Sequence, residues 1–307
     1  MNEGYKLQAG DGDTVSLKDE SCRAHAVFPV DEPVKQLAQF AFDWAQTLCG
    51  TSSCADYHRG WGVMRAWTAD GGLPAGIADF LPAMTARARN GRIRVLLSGA
   101  ADSGLASAML ACLRPAGIEP SFVLSDCCQT PLMQNMLFAQ HARFALQTHH
   151  GRVEELTVAP VDVVLSHSFL GFIAPEKRAM TVAAWARNLR QGGAVLYSGP
   201  ILGEGMVRPS TSTPEYLAAV AAKVVDNVRA AGGTDAEALA KAAVDFWAWR
   251  VPYTQPSEAE VLDLFAGAGL IPVDRRTQPH RKFNTVETTG REANDYRIRL
   301  NLVAERP

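Results

Sequence analysis

Residues 93–110, IRVLLSGAADSGLASAML, combine types and spacing that could hold a ligand. A compact apolar run ends at Ser98, a loop of small residues follows, and an apolar helical pattern begins near Gly104. Gly99 and Gly104 would let the backbone approach a ligand closely, with Ala101 at the centre of a GxAxxG triplet. Backbone N–H groups at such a turn and the dipole of the following helix both favour a polar or anionic group. The same triplet also occurs in ordinary strand-to-helix turns. Asp126 adds a second element, because it closes the run SFVLSD 27 residues after Gly99. A carboxylate at the end of that strand can accept both hydroxyls of a ribose. Its other reading is a cap for the helix that starts near Pro131.

Two further clusters carry functional side chains. Tyr57, His58, Arg59, Trp61 and Arg65 crowd one segment, and Tyr57, Trp61 and Arg65 repeat every four residues along one helical face. Such a face could grip a carboxylate and shield a cation, or could pack its aromatics into a core. Phe246, Trp247, Trp249, Arg250 and Tyr253 form a second aromatic knot, for which core packing is the commoner role. His167 ends the strand VDVVLSHSF, and Ser168 and Phe169 follow it. Strand ends of this kind face the ligand crevice, so His167 is a candidate general base and Phe169 a candidate pocket wall. A strand-end cap is the alternative for His167. The six cysteines show no CxxC and no paired zinc spacing, and the histidines form no evident donor set, so the sequence suggests no metal site.

Positioning these residues requires a scaffold. Residues 1–30 lack periodicity and read as a loose arm. Val34, Leu37, Ala38, Ala41, Ala45 and Leu48 recur at three and four, a helical stripe, and a second helix runs from Cys54 to Trp67. Phe80, Leu81 and Met84 mark a short third. From Gly91 onward, strands at 93–98, 121–126, 144–148, 161–169 and 194–199 alternate with helices, the pattern of a parallel sheet covered on both faces. Residues 214–250 are helical with a break at 231–233, too long for a plain connection, and read as an inserted helical pair. A helix over 257–270 and two strands, IPVDRR and YRIRLNLVAE, end the chain. The expected organisation is a helical arm and cap over 1–90 and a Rossmann-like domain over 91–307 with a helical insertion over 210–255.

With GAADSG, VLSDCCQTPLMQN and VVLSHSFLGFIAPEKR in place, the sequence resembles the class I S-adenosylmethionine-dependent methyltransferases over roughly residues 55–305. It is similar to a bacterial subgroup with a YH-G-W segment ahead of the sheet, matched by Tyr57, His58, Gly60 and Trp61. The resemblance implies a doubly wound, mostly parallel sheet with an antiparallel last strand. It implies S-adenosyl-L-methionine as cofactor, held by Ser98, Gly99, Ala100 and Gly104, with Asp126 on the ribose and Cys127 against the adenine. Three positions depart from the family pattern. Leu97 or Ser98 stands where an acid often opens the glycine motif, which leaves Asp102 as a candidate for the cofactor's ammonium. Gly151, Arg152 and Val153 stand where an acid near adenine is common, so Arg152 and Val153 become the candidate contacts there. Ala101 replaces the central glycine. Acceptor-side candidates are Tyr57, His58, Arg59, Trp61, Arg65, Phe169 and Trp247, with His167 and Tyr57 as candidate catalytic groups and His167 also a candidate cofactor contact near the sulfonium.

Composition narrows the function classes. The 307 residues are 47% hydrophobic and 20% charged, with a formal net charge of -2, an ordinary globular balance without the basic surplus of a nucleic-acid binder. No run approaches the roughly 18 apolar residues of a membrane span. The polar start lacks the features of a leader peptide, and the cysteines read as cytosolic thiols. The expected protein is therefore a cytoplasmic enzyme acting on a small, amino-acid-like acceptor, with S-, O- and N-methylation all open and a homodimer compatible. A nicotinamide-dependent oxidoreductase and a non-catalytic adenosine-binding module are the alternatives.

Overall fold

The computed structural model describes residues 32–68, 74, 76–202, 213–248, 255–280 and 297–307. The arm expected over 1–30, the aromatic residues Trp249 and Tyr253, and most of the charged loop before the last strand lie outside these residues.

Among the described residues, seven strands form one sheet: β1 (Arg92–Ser98), β2 (Glu119–Asp126), β3 (Ala145–His150), β4 (Val161–His167), β5 (Leu189–Ile201), β6 (Ile271–His280) and β7 (Arg297–Glu305). Their order is β3-β2-β1-β4-β5-β7-β6. The first five pair in parallel, and β7 runs antiparallel to both β5 and β6. This is the doubly wound sheet with a reversed last strand that the sequence suggests. The order reverses between β1 and β4, which places a ligand crevice beyond the carboxyl ends of those strands.

Alternation along the strands separates two cores. Val95, Leu97, Phe122, Leu124, Val163 and Leu165 face one side, against Met109 of α4 (Gly104–Leu113) and Phe138 of α5 (Gln129–Ala142). Leu96, Val123, Val164, Val195 and Tyr197 face the other, against Trp185 of α6 (Pro175–Asn188) and Phe265 of α9 (Glu258–Gly267). Strands β1, β2, β4 and β5 bury both faces, as expected inside a parallel sheet, so their sequences run continuously apolar.

A third core contains no strand residue. The helices α1 (Val34–Leu48) and α2 (Ser52–Trp67) precede the sheet, with a 3-10 turn and short α3 (Leu81–Thr85) behind them. After β5 come α7 (Pro214–Ala230) and α8 (Ala236–Ala248). Val63 and Met64 of α2 pack with Val220, Val224 and Val228 of α7 and Leu239 and Ala243 of α8. The cap and the insertion thus share one apolar interior. Thr51 caps α2 through its hydroxyl, which accepts from the Cys54 N–H at 3.3 Å.

Two glycines set how closely α2 approaches its neighbours. A Cβ at Gly60 would lie 2.3 Å from Phe246 Cβ and 2.6 Å from the Ala242 carbonyl oxygen, and one at Gly62 would lie 3.3 Å from Ala38 Cα. Gly60 therefore faces α8 and Gly62 faces α1. Replacing Gly60 by alanine should force α8 away and cost about 1–3 kcal/mol, the usual range for overpacking. Gly50→Ala, with nothing within 4 Å of the added carbon, is the matched control. Urea denaturation of the two variants compares them directly, and equal stabilities would show that the α2–α8 contact is not tight.

Candidate functional site

The loop after β1 is held open by one glycine. Gly99 adopts φ +73, and a Cβ there would meet the Phe169 ring at 2.3 Å. Phe169 therefore lies directly on the loop. At the same strand end Ser168 has φ +56, a conformation unusual for a residue with a side chain, and its N–H donates to Ser198 O at 2.7 Å.

Asp126 reaches across from β2. Its Oδ2 accepts the Ala100 N–H at 2.9 Å and its Oδ1 accepts the Cys128 N–H at 2.8 Å. Burial pushes this carboxyl up to about 6, against the pull of those two donors. A carboxylate offers about four lone-pair directions, so each oxygen retains one beyond its backbone bond. The alternative reading of Asp126 as an ordinary helix cap is thus only half the picture: it also ties the β2 loop to the glycine loop. Cys127 is exposed beside it. Arg152 is exposed and Val153 is buried in the core under α6, so Val153 presents no side chain to the crevice.

Several residues assigned to the cofactor or acceptor have other partners. The Ser98 hydroxyl accepts the Trp185 indole N–H at 2.7 Å and is fully buried, so its side chain points beneath α6 and away from the crevice. Asp102 Oδ1 accepts the Gly104 N–H at 2.8 Å and Oδ2 accepts from Arg65 at 3.0 Å. This carboxylate neutralises the start of α4 and the cap's arginine; it is not a free anion for an ammonium. Gly104 has a packing role: a Cβ there would sit 3.0 Å from Arg65 Cζ.

Arg65 is 3% exposed and lies between Asp102 and Glu32, whose oxygens are 2.7 and 2.5 Å from its two terminal nitrogens. Ser103 donates to Glu32 as well, at 2.6 Å. Burial works against the arginine's charge, but Asp102 and Glu32 outweigh it and raise its affinity for the proton. Burial works against the Glu32 charge too, and Arg65 outweighs it, holding the carboxyl below its ordinary value. Arg65 therefore docks the cap on the glycine loop and is not an acceptor-binding fork. Arg59 is also diverted. Its Nε donates to Phe42 O at 3.0 Å and its guanidinium lies 4.4 Å over the Phe42 ring, on the α1 side of the helix. Two residues from Tyr57, it must point to nearly the opposite face.

Tyr57 and Trp61 do turn toward one another's surroundings. The Tyr57 ring lies 5.5 Å from Phe172, just after β4, and 5.6 Å from Phe246, and Trp61 lies 5.7 Å from Phe246. Burial and the charges of Asp102 and Asp126 push the Tyr57 phenol upward, so it stays neutral. Trp247 packs edge-on to Tyr216 and donates to Met64 Sδ at 3.0 Å, inside the helical core. His58 is buried, with Nδ1 3.0 Å from Ala101 O.

At the far side of the crevice, Arg299 of β7 makes a network that sequence reasoning missed. Its Nη1 lies 3.1 Å from His167 Nε2 and 2.9 Å from Ser198 Oγ, and its Nη2 lies 3.1 Å from Ser168 Oγ. A guanidinium only donates, so His167 Nε2 accepts. Burial lowers Arg299 to about 10, still cationic at neutral pH. A base working through Nε2 would have to surrender that bond and become a cation beside another.

The fold also gathers a donor set that the spacing concealed. Cys49, Cys54, His58 and Cys128 place one ligating atom each within 4.8 Å of one another. The signal could not be read from the chain, because Cys128 lies 70 residues beyond His58.

The Arg65 triad can be probed by Arg65→Met. Two buried carboxylates would lose their cation, a loss of about 3–5 kcal/mol. Glu32, normally held below its ordinary value of 4.5, would then resist ionisation, so the deficit should be largest near pH 7 and shrink as pH falls and the acids protonate. Denaturation at pH 7 and pH 5 measures both, and a deficit independent of pH would contradict the electrostatic origin.

No protein-family model matches the sequence, and no curated protein does. Solved structures do match. Geranyl diphosphate C-methyltransferase from Streptomyces coelicolor A3(2), solved with Mg2+, geranyl diphosphate and S-adenosyl-L-homocysteine, is 12% identical with a TM-score of 0.52, over 90% of this chain and 100% of that one. The 1,6-didemethyltoxoflavin-N1-methyltransferase of Burkholderia thailandensis, solved with 1,6-didemethyltoxoflavin and S-adenosylhomocysteine, is 15% identical with a TM-score of 0.50, over 98% and 99%. With its seven strands in this order, the last reversed, and a glycine loop answered by an acid at the end of β2, the chain has the fold of the class I S-adenosylmethionine-dependent methyltransferases.

Proposed function

We propose that the chain is an S-adenosylmethionine-dependent methyltransferase acting on a small-molecule acceptor. The observation that carries this reading is the Asp126 carboxylate at the end of β2, fixed against the glycine loop by the Ala100 and Cys128 amides and retaining acceptor capacity for a ribose. The residues present fit the cofactor there. Asp126 would hold the sugar, the Gly99–Ala100 backbone would run beside it, and Cys127 would lie at the adenine side. When bound, the cofactor supplies a methyl group on a sulfonium, ready for in-line displacement.

The chain's own part is alignment and exclusion of water. Tyr57, Phe169 and Phe172 form aromatic walls between the glycine loop and the cap. Such walls tolerate a sulfonium and suit a partly apolar acceptor. The helix α2 lies over the glycine loop and shares its interior with α7 and α8, which favours a small molecule over a polymer. The neighbours named above act on geranyl diphosphate and on 1,6-didemethyltoxoflavin, both small molecules. The described cysteines are free, which suits a reducing compartment such as the cytoplasm.

Proton handling narrows the acceptor. His167 Nε2 is engaged by Arg299, and Tyr57 stays a neutral phenol. Neither supplies a ready base. This supports an acceptor that is already an uncharged nucleophile, such as a thioether or a free amine, among the S-, N- and O-methylation classes.

Three measurements test the reading. Calorimetry should show binding of S-adenosylhomocysteine and none of nicotinamide nucleotides; the opposite result favours an oxidoreductase and overturns the proposal. Asp126→Ala should weaken S-adenosylhomocysteine binding by about 2–4 kcal/mol, the loss of charge-assisted hydrogen bonds to two hydroxyls. Once an acceptor is identified, His167→Ala should change kcat by less than about 10-fold. A fall of about 100-fold or more would restore His167 as a general base.

A further inference from the structure

Four side chains outside the proposed chemistry meet where the cap joins the sheet. Cys49 follows the last turn of α1, Cys54 and His58 stand one turn apart on α2, and Cys128 opens α5 immediately after the Asp126 loop. Their four donor atoms lie within 4.8 Å of one another, and Cys49 Sγ is 3.2 Å from Cys128 Sγ. We propose that Cys49, Cys54, His58 and Cys128 form a Cys3His site for one thiophilic divalent cation, Zn2+.

The donor set fits the ion in type, number and spacing. Zinc with thiolates at about 2.3 Å and an imidazole at about 2.0 Å sets its four donors about 3.5–3.8 Å apart in a tetrahedron. To reach that geometry the widest pair would close by about an ångström, and Cys49 Sγ and Cys128 Sγ, 3.2 Å apart, would open by about half an ångström. On α2 the two donors are four residues apart and so share one face. The imidazole is already oriented: Nδ1 lies 3.0 Å from the Ala101 carbonyl oxygen, which only accepts, so Nδ1 carries the proton and Nε2 keeps its lone pair. A ligating histidine is commonly fixed in this way by a carbonyl on its other nitrogen. His58 and Cys128 are buried while Cys49 and Cys54 are half-buried, which leaves the ion a route in.

A buried free cysteine usually behaves as a small apolar side chain. That role accounts for Cys112, which lies on α4 within the core. It does not account for three sulfurs and an imidazole converging from three helices. Binding balances simply: three thiols release three protons to solvent as they become thiolates, the imidazole enters neutral, and nothing is oxidised or reduced. Four protein donors leave no open position, so the ion's role is to hold structure. It would staple both cap helices to the loop that carries Asp126. The site stands independently of the methyl-transfer reading.

The test uses the full chain purified without a histidine tag under reducing conditions. Metal analysis should find about one zinc per chain. After stripping with a strong chelator, Co2+ should bind at one equivalent with a thiolate-to-cobalt charge-transfer band and the intense visible absorption of tetrahedral cobalt, and stripping should lower Tm. Cys54→Ser and Cys128→Ser should each weaken Zn2+ binding by about 100-fold or more, beyond the effect of losing an outer-shell partner. His58→Ala should weaken it similarly, and His58→Cys should restore it by completing a four-thiolate site. If the variants fail to fold, the wild-type cobalt titration still decides. A folded wild-type chain with no tetrahedral cobalt spectrum overturns the proposal. So does intact-mass analysis of the alkylated native protein showing a Cys49–Cys128 disulfide.

Discussion

One buried cation fixes the relation between cap and sheet. Arg65 enters the space above α4 and meets Asp102 from the glycine loop and Glu32 from the start of the cap. Isolated, each of the three charges would be costly to remove from water. Together they hold the loop, the first turn of α4 and two separate pieces of the cap in a single arrangement. A well-packed apolar trio could serve stability as well, since buried ion pairs often gain little over hydrophobic replacements. What the charges add is direction. A guanidinium fork accepts partners only in its plane, so the cap has one seating on the loop. The small residues nearby follow from this: Gly104 must lack a side chain for Arg65 to come close.

Much of the scaffold was legible because periodicity reports burial. The stripe from Val34 to Leu48, the apolar runs of β1, β2 and β4, and the break between α7 and α8 all appear where the pattern placed them. Strand β5 is longer than the expected 194–199, beginning at Leu189, because Leu189 already pairs with Val161 and residues 190–193 bulge before the ladder resumes at Ala194 and Val163. The site was less legible. Ser98 shares the parity of Leu96, whose face lies under α6, and that alternation could have excluded its side chain from the crevice. Arg59 could likewise have been separated from Tyr57 by counting around the helix. Arg65, however, has the right spacing for the aromatic face, and only Glu32 and Asp102, 33 and 37 residues away, reveal its occupation. Partners that distant leave no trace in local pattern.

The reversed strand β7 brings residues from the end of the chain to the ligand edge. Arg299 and Asn301 pair opposite Pro200 and Ser198 of β5, near the carboxyl end of β4. Ser198 donates to Asn301 Oδ1 at 2.7 Å, and Asn301 Nδ2 donates to Asp79 Oδ2 at 3.2 Å, linking β5, β7 and the segment ahead of α3. The crevice floor is therefore a hydrogen-bonded polar layer drawn from four sequence regions. Such networks specify a unique arrangement only when their members are satisfied together.

The helical core shared by α2, α7 and α8 bears on cooperativity. Its buried residues include none from the sheet, although α2 lies some 150 residues ahead of α7 in the chain. A region with its own interior can move or lose order as a unit, separately from the global transition. Amide exchange in α2, α7 and α8 should then share a common opening free energy, distinct from that of β1 and β4. Exposing the strand ends would not require the helices to part from one another; it would require them to leave the sheet together, carrying their interior intact.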